Sequence, residues 1–571
     1  MSRRPRRRRV IFMVAASVAA IFLLILLPLP PTRYVIDVNT SRRDIGVPPV
    51  VRGAFHVHSE RSDGSGSLDI IADAAQRAGL QFVIITDHAD GTRTPTAASY
   101  RSGVLCIDAV EISTSGGHYI ALGLPATPYP LGGESWSVVE AVARLGGFGV
   151  VAHPTSLRAA LAWQDWQTPF DAVEWLNGDS QWRDETFSTL AVTATRYPFR
   201  PSESLASLLD RPQMALDLWD SETSQRRVVG LGGVDAHARL GTGIGNEGYG
   251  KAIAINFPGY EQIFRTFSLS VQLADPWSGN PIQDATALIE GIRMGRTFTS
   301  IDALASPAQF NFTAETRAHR VSMGERITTA TETQLRAVVT GPPESEIVLL
   351  ANGQTVYRVA GAELTYDIDP TRAVEAYRVE VHLPSAPGTP PIPWIISNPI
   401  YVGAAPVQSI STPISPETTT PLANGERWHT ERDPGSRVNI KETSDRIELG
   451  IQLGPNREAY VAAVYDGLNG NLERYDGVTF EVAASRPMRI FFELRVSGED
   501  TDRRWRRSFY ADTDLRMVNL RFEDLLPITP NLESAPNLSS VDNLMIVVDT
   551  LNTAPGTTAT LTLGALSLVQ P

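Results

Sequence analysis

The sequence predicts a multidomain chain, one α/β unit followed by two all-β units, and three observations predict it. From Gly53 to about Asp302, short β-rich runs alternate with helical patterns. From Ala308 to Val402 the runs alternate apolar and polar residues with no helix between them. Beyond a Pro/Ser/Thr-rich stretch, Ala404–Gly425, a further series of strands follows. A length of 571 residues calls for two to four domains. With 42% hydrophobic and 20% charged residues the composition is globular, which excludes wholesale disorder and a polytopic membrane protein. The single cysteine, Cys106, excludes an intramolecular disulfide framework and a cysteine-based zinc knuckle.

At the N-terminus, Arg3, Arg4, Arg6, Arg7, Arg8 and Arg9 precede an uncharged apolar run from Val10 to Leu27, closed by Pro28, Pro30 and Pro31. As a helix this run reaches about 27 Å, close to the ~30 Å of a hydrocarbon core. It predicts a cytoplasmic basic tail over 1–9, a transmembrane signal anchor over 10–30, and the bulk of the chain outside the cytoplasm. Cleavage as a signal peptide, giving a secreted protein, is the alternative, although no A-x-A site follows the run. The formal net charge is −13, and removing the arginine tail leaves the body more acidic still. Such a body is a poor binder of nucleic acid, whose affinity comes from neutralising phosphates with Lys and Arg.

Taken in order, the strand candidates of the α/β unit (50–302) are Ala54–His58, Phe82–Thr86, Val104–Val110, Gly149–Ala152, Ala172–Leu176, Val228–Gly232 and Ala252–Asn256. Between them, Ser67–Gly79 has aliphatics at helical spacing with a Ser cap and a closing Gly; Ser135–Leu145 and Asp284–Met294 read the same way. Repeated β-α units argue for a parallel sheet, open or closed into a barrel. Residues 303–403 read as a small antiparallel β-sandwich, 404–425 as a linker, and 426–571 as a jelly-roll β-sandwich.

Six of the nine histidines lie in or just after apolar runs of the α/β unit. His56-Val57-His58 alternates, so both rings face one side of a strand and can grip one metal. Phe82–Thr86 delivers Asp87 and His88, Gly149–Ala152 delivers His153, and Gly230–Val234 delivers Asp235 and His237. His118 follows a Gly-Gly turn, and Asp63 and Glu111 also follow strands. Sites in parallel α/β folds are built at the carboxyl ends of strands, and imidazoles with carboxylates there form a metal-site pattern.

These motifs, in this order, resemble the polymerase-and-histidinol-phosphatase (PHP) metallohydrolase superfamily over roughly residues 50–302. The resemblance implies a distorted (β/α)7 barrel and a cluster of two or three divalent ions (Zn, Mn or Fe). The ligand positions it implies fall on His56, His58, Asp63, His88, Glu111, His118, His153, Asp235 and His237. Asp87 is then set behind the ligands, orienting one of them or shuttling a proton. The stretches Ala287–Ser300 and Pro393–Val402 look like the carbaryl-hydrolase-like branch of the same superfamily. The last unit is similar to galactose-binding or carbohydrate-binding jelly rolls.

Clustered divalent ions lower the pKa of a shared water and yield a metal-bridging hydroxide at neutral pH, which attacks a phosphorus or carbonyl centre. Arg61 and Arg239 follow the first and last motifs and are placed to meet an anionic substrate. The leading expectation is therefore a membrane-anchored extracytoplasmic phosphoesterase acting on a small phosphate ester. The alternatives are a carboxylic or carbamic ester hydrolase and a surface glycan-binding protein. Gly243-x-Gly245-x-x-Gly248 fits a dinucleotide fingerprint, but a strand, not a helix, is expected after it, so Gly241–Gly250 is read as a loop beside the site. Seven of the ten tryptophans, Trp136 to Trp277, fall in the α/β unit, as core or as the wall of an apolar substrate site.

Overall fold

The computed structural model describes residues 28–37, 48–89, 95–239, 257–327, 333–369, 375–403, 419–422, 427–443, 446–468, 472–496, 503–528, 534–564 and 566–570. Most of the expected anchor, most of the linker, the Gly241–Gly250 loop and the Ala252–Asn256 strand lie outside them. Among the described residues, no helix is long and apolar enough to cross a membrane.

The α/β unit is a ring of strands in two arcs. In the first, Val50–Val57, Phe82–Ile85 and Val104–Asp108 run parallel. In the second, Phe148–Val151, Ala172–Asn177 and Val229–Gly233 run parallel. Isolated bridges from Val57 to Ala236 and from His88 to Glu111 join the arcs at the strand ends that carry the expected ligands. The closure is thus made where the site lies.

Six of the seven strand candidates are present. The ring is not made of β-α units alone, however. Val110–Thr114 and Gly117–Leu122 form an antiparallel hairpin, and Ser268–Gln272 runs antiparallel to both Val50–Val57 and Thr297–Ser300. Ser115-Gly116, with Gly117 at φ 115°, makes the tight turn that brings His118 back across from Ser113. The helix Leu68–Ala78 starts at Ser67, whose hydroxyl accepts from Ile70 N, and stops at Gly79 with φ 76°. Between Asn177 and Val229 the chain leaves the ring as four helices, Gly178–Arg183, Phe187–Arg196, Pro201–Ala206 and Gln213–Gln225, which no strand-by-strand reading anticipates.

Residues 303–403 do form a sandwich, but not an independent one. One sheet consists of Arg320–Ser322, Gln309–Glu315, Gln334–Thr340 and Glu363–Asp367. The other continues the first arc of the ring, because Ile395–Ser397 pairs with Thr297–Ser300. Asn398 locks this junction: its amide donates to Gly230 O (2.9 Å) and Thr297 Oγ1 (2.6 Å) and accepts from Gly230 N (2.8 Å). The Pro393–Val402 motif is therefore a buried brace, with Trp394 fully enclosed.

The C-terminal unit is two antiparallel sheets, with even residues of Met488–Val496 (Met488, Ile490, Phe492, Leu494, Val496) in the core between them. It begins earlier than expected, since Thr419–Pro421 pairs with Ser567–Val569. It docks on the helix Ser135–Arg144: Glu134 accepts from Ser508 N and Oγ (3.2 and 2.8 Å), and buried Arg489 bonds Glu140 (2.7 Å).

Candidate metal centre

The Val50–Val57 strand does not end as plain alternation. Its register against Phe82–Ile85 slips between Ala54 and Val57, and His56 sits in the left-handed region at φ 67°. His153 (φ 29°) and Asp235 (φ 48°) share that region. Left-handed backbone costs a non-glycine residue on the order of 1–3 kcal/mol and persists where surrounding structure enforces it, typically at functional sites. Here it turns three side chains inward.

The bulge points both Nε2 atoms of His56 and His58 at one locus, 3.1 Å apart. Glu111 Oε2 lies 3.5 and 3.3 Å from them, and Asp235 Oδ1 lies 3.3 Å from each. His56 Nδ1 donates to Glu174 Oε1 (2.7 Å), and His58 Nδ1 faces Asp63 Oδ1 (3.2 Å). With an ion bound, these outer contacts would hold the proton on Nδ1 of each ring and leave Nε2 free to ligate. His56 Nε2 and His58 Nε2 each stand within 3.5 Å of both Glu111 Oε2 and Asp235 Oδ1. His56, His58 and Glu111 each offer a ligand atom within 4.8 Å of the others, as donors around one ion must. The residues fit a divalent cation.

Glu111 extends the cluster. Its Oε1 accepts from His118 Nδ1 (2.8 Å) and His153 Nε2 (2.9 Å), while His88 Nδ1 lies 3.3 Å from Oε2. Asp63 accepts from His237 Nε2 (3.1 Å), and the His58 and His237 rings stack at 4.2 Å. Three overlapping donor groups result: His58, Asp63, His88 and His237; His56, His58 and Glu111; His88, Glu111 and His118. The buried atoms His88 Nδ1, His153 Nδ1 and Asp235 Oδ1 make no hydrogen bond among the described residues, the condition of groups whose partner is an ion.

Charge tells the same story. Burial works to depress His56, but Asp235, Glu174 and Glu111 outweigh it and hold the ring well above its ordinary value. His58, His153 and His237 are raised in the same way, and Glu111, Asp63 and Asp235 are held below the usual carboxylate range although burial opposes it. The carboxylates demand positive charge, which protons or metal ions supply.

All nine expected ligands converge. Asp87 lies behind them: it accepts from Ser59 N (2.7 Å), Ser59 Oγ (2.6 Å) and Ser62 Oγ (2.7 Å), holding the loop that carries Asp63. Arg61 is a correction. Its guanidinium is turned to Asp87 (2.9 Å) and Asp108 (2.8 Å), where it braces that loop instead of facing substrate. Arg239 lines the neighbouring cavity, which shares Asp235 and His237 with the one that holds the cluster. Arg158 and Arg183 line the cluster cavity instead, which measures about 390 Å³.

Two residues escaped the sequence reading. Glu174 joins His56 Nδ1, His153 N (2.8 Å) and Asn177 Nδ2 (3.0 Å), and Gly233 makes room, because a Cβ there would lie 1.8 Å from Glu174 Oε1. An acid in the otherwise apolar run Ala172–Leu176 was the available signal. Tyr260 donates to His58 O (2.8 Å) and accepts from Ser65 N (3.1 Å), tying the first loop down.

The fold and site define a ring of strands with a His/carboxylate metal centre at one end and a β-sandwich attached. No protein-family model and no curated relative matches the chain. Among solved structures, it is similar to a two-domain protein from Bacteroides vulgatus described as containing a predicted PHP-like metal-dependent phosphoesterase, at 14% identity and TM-score 0.31, over 64% of this chain and 99% of that one. It is also similar to a family 11 carbohydrate-binding module from Clostridium thermocellum (13%, TM-score 0.23, 26% and 93%). A family 30 module of a cellulosomal cellulase from the same organism matches at 10%, TM-score 0.20, over 25% and 91%. At these TM-scores the likenesses carry no argument of their own.

Proposed function

We propose that this protein is a metal-dependent hydrolase of phosphate esters. One observation carries the proposal: imidazoles and carboxylates from separate strand ends converge in three overlapping donor groups, His58, Asp63, His88 and His237; His56, His58 and Glu111; and His88, Glu111 and His118. Ions of the Zn, Mn or Fe type, two or three of them, would be held by the nine residues and would supply an acidified water and Lewis-acid stabilisation of charge on oxygen. The chain's own part is orientation. Glu174 fixes the tautomer of His56, Asp63 that of His58, and Asp87 with Arg61 keeps the Asp63 loop in place. Arg158, at the wall of the same cavity, is set to meet anionic oxygens, whereas Arg183 beside it is paired with Asp179.

The test is the purified chain loaded with each metal and assayed on a broad panel of phosphomonoesters and phosphodiesters, with elemental analysis alongside. A loaded protein inert across that panel would sink the proposal. A carboxylic or carbamic ester is the second reading, favoured by the apolar cavity beside His237; activity on aryl esters or carbamates alone would select it. Anchoring outside the cytoplasm is proposed on residues 1–31 of the sequence, and protease accessibility on intact cells tests it. Glycan binding is proposed for the C-terminal sandwich and is tested by pull-down on polysaccharides with His56→Ala.

A further inference from the structure

A second cavity, of about 280 Å³, opens beside the cluster. It shares Asp179, Trp182, Leu190, Asp235 and His237 with the cluster cavity, so these are two compartments of one site with those side chains at the junction. Their chemistry differs sharply. The first is walled by imidazoles and carboxylates; the second is built by the helical excursion and the 257–267 segment, with Leu190, Tyr197, Leu208, Phe257 and Phe267 on its walls. Tyr197 meets Phe257 edge-on at 4.6 Å, a rigid aromatic corner. Trp182 is fixed at the junction, its Nε1 donating to Asp179 Oδ1 (2.9 Å) and its ring lying 4.5 Å under the Arg183 guanidinium. A largely apolar cavity that shares His237 and Asp235 with the cluster cavity, and carries Arg239 on its wall, has no role in holding the ion. It does suit the part of a substrate that the ion does not touch.

We propose that the substrate carries an apolar group of aryl or medium-alkyl size, which lodges in this second compartment while the ester group is held at the cluster. The proposal rests on the hydrolase reading for the ester half and on the cavity alone for the apolar half. Size sets the scale: a cavity of about 150 Å³ accepts a benzene ring, so one nearly twice as large accepts a fused bicyclic ring.

The experiment uses the full chain loaded with Zn²⁺ and three probes with one headgroup: methylphosphonate, phenylphosphonate and 2-naphthylphosphonate. Calorimetry reads binding, and turnover of the three corresponding phosphates is measured in parallel. The expected result is that naphthylphosphonate binds more than about tenfold tighter than methylphosphonate, with phenylphosphonate between. Ala194→Trp fills the compartment from an exposed helix position and should drive the naphthyl-to-methyl ratio toward one, with metal content confirming the fold. Equal binding of the three by wild type, or no binding of any, overturns the proposal, and so does a ratio that Ala194→Trp leaves intact. Preferential naphthyl binding without turnover of any phosphate would sink the phosphate-ester reading and leave the compartment standing. Turnover with equal binding would do the reverse.

Discussion

Replacing Glu174 by glutamine changes one atom in the wall of the metal centre and nothing in the ligand set. The carboxylate accepts three hydrogen bonds, from His56 Nδ1, His153 N and Asn177 Nδ2. A glutamine has two orientations, and both fail. With its oxygen toward His56, the NH₂ group meets two donors, His153 N–H and the Asn177 amide. With its NH₂ toward His56, the ring must accept at Nδ1, which moves the proton to Nε2 and blocks the lone pair aimed at the ion. Loss of such an orienting partner typically costs about 10–100-fold in metal affinity, or about 1.4–2.7 kcal/mol. Chelator competition at neutral pH, with circular dichroism to confirm the fold, measures it. If the Glu174→Gln chain holds its metal within about twofold of wild type, the tautomer argument is wrong.

Glu111→Gln removes a charge that both oxygens share among five rings, so the chain should emerge from dialysis with at least one ion fewer by elemental analysis; full occupancy would refute the bridging role. Asn398→Ala strips the brace between Thr297 and Gly230 and should lower stability by about 3 kcal/mol, read by calorimetry on the barrel transition. A change in ester turnover with no loss of stability would instead return Pro393–Val402 to the chemistry. Glu493 gives a pH test. Burial pushes its carboxyl up to about 7 in spite of Arg506 and Arg504, so the folded state binds more protons than the unfolded one between pH ~4.5 and ~7. Its contribution is present below pH ~4.5 and is lost as pH rises through ~7, by up to about 3 kcal/mol. Glu493→Gln should flatten that decline in the melting of the C-terminal unit, and an unchanged slope would contradict the assignment.

The sequence made the nine ligands, the three helices Leu68–Ala78, Ser135–Arg144 and Pro281–Arg293, and the strand-rich character of everything after Ala308 legible, because each has a local signature: a cap, a period, or a histidine at the end of an apolar run. Pairing direction had no such signature. The Val110–Leu122 hairpin hid behind a polar turn, and fusion of the small sandwich to the ring depends on Asn398 reaching residues more than a hundred positions away.

Ligand identity is chemistry, and chemistry is written in residue types; what a side chain touches is geometry, and it is fixed only when distant strands close. Thus the sequence alone brought forward the imidazoles and carboxylates that the fold then gathers at one end of the ring. Tertiary structure alone decided that Arg61 braces a loop, that Arg239 lines the second cavity, that Glu174 bonds His56 Nδ1, and that the donor groups overlap. The backbone strain at His56, His153 and Asp235 is the physical reason. No local propensity favours those conformations, so only the closed ring of strands can impose them.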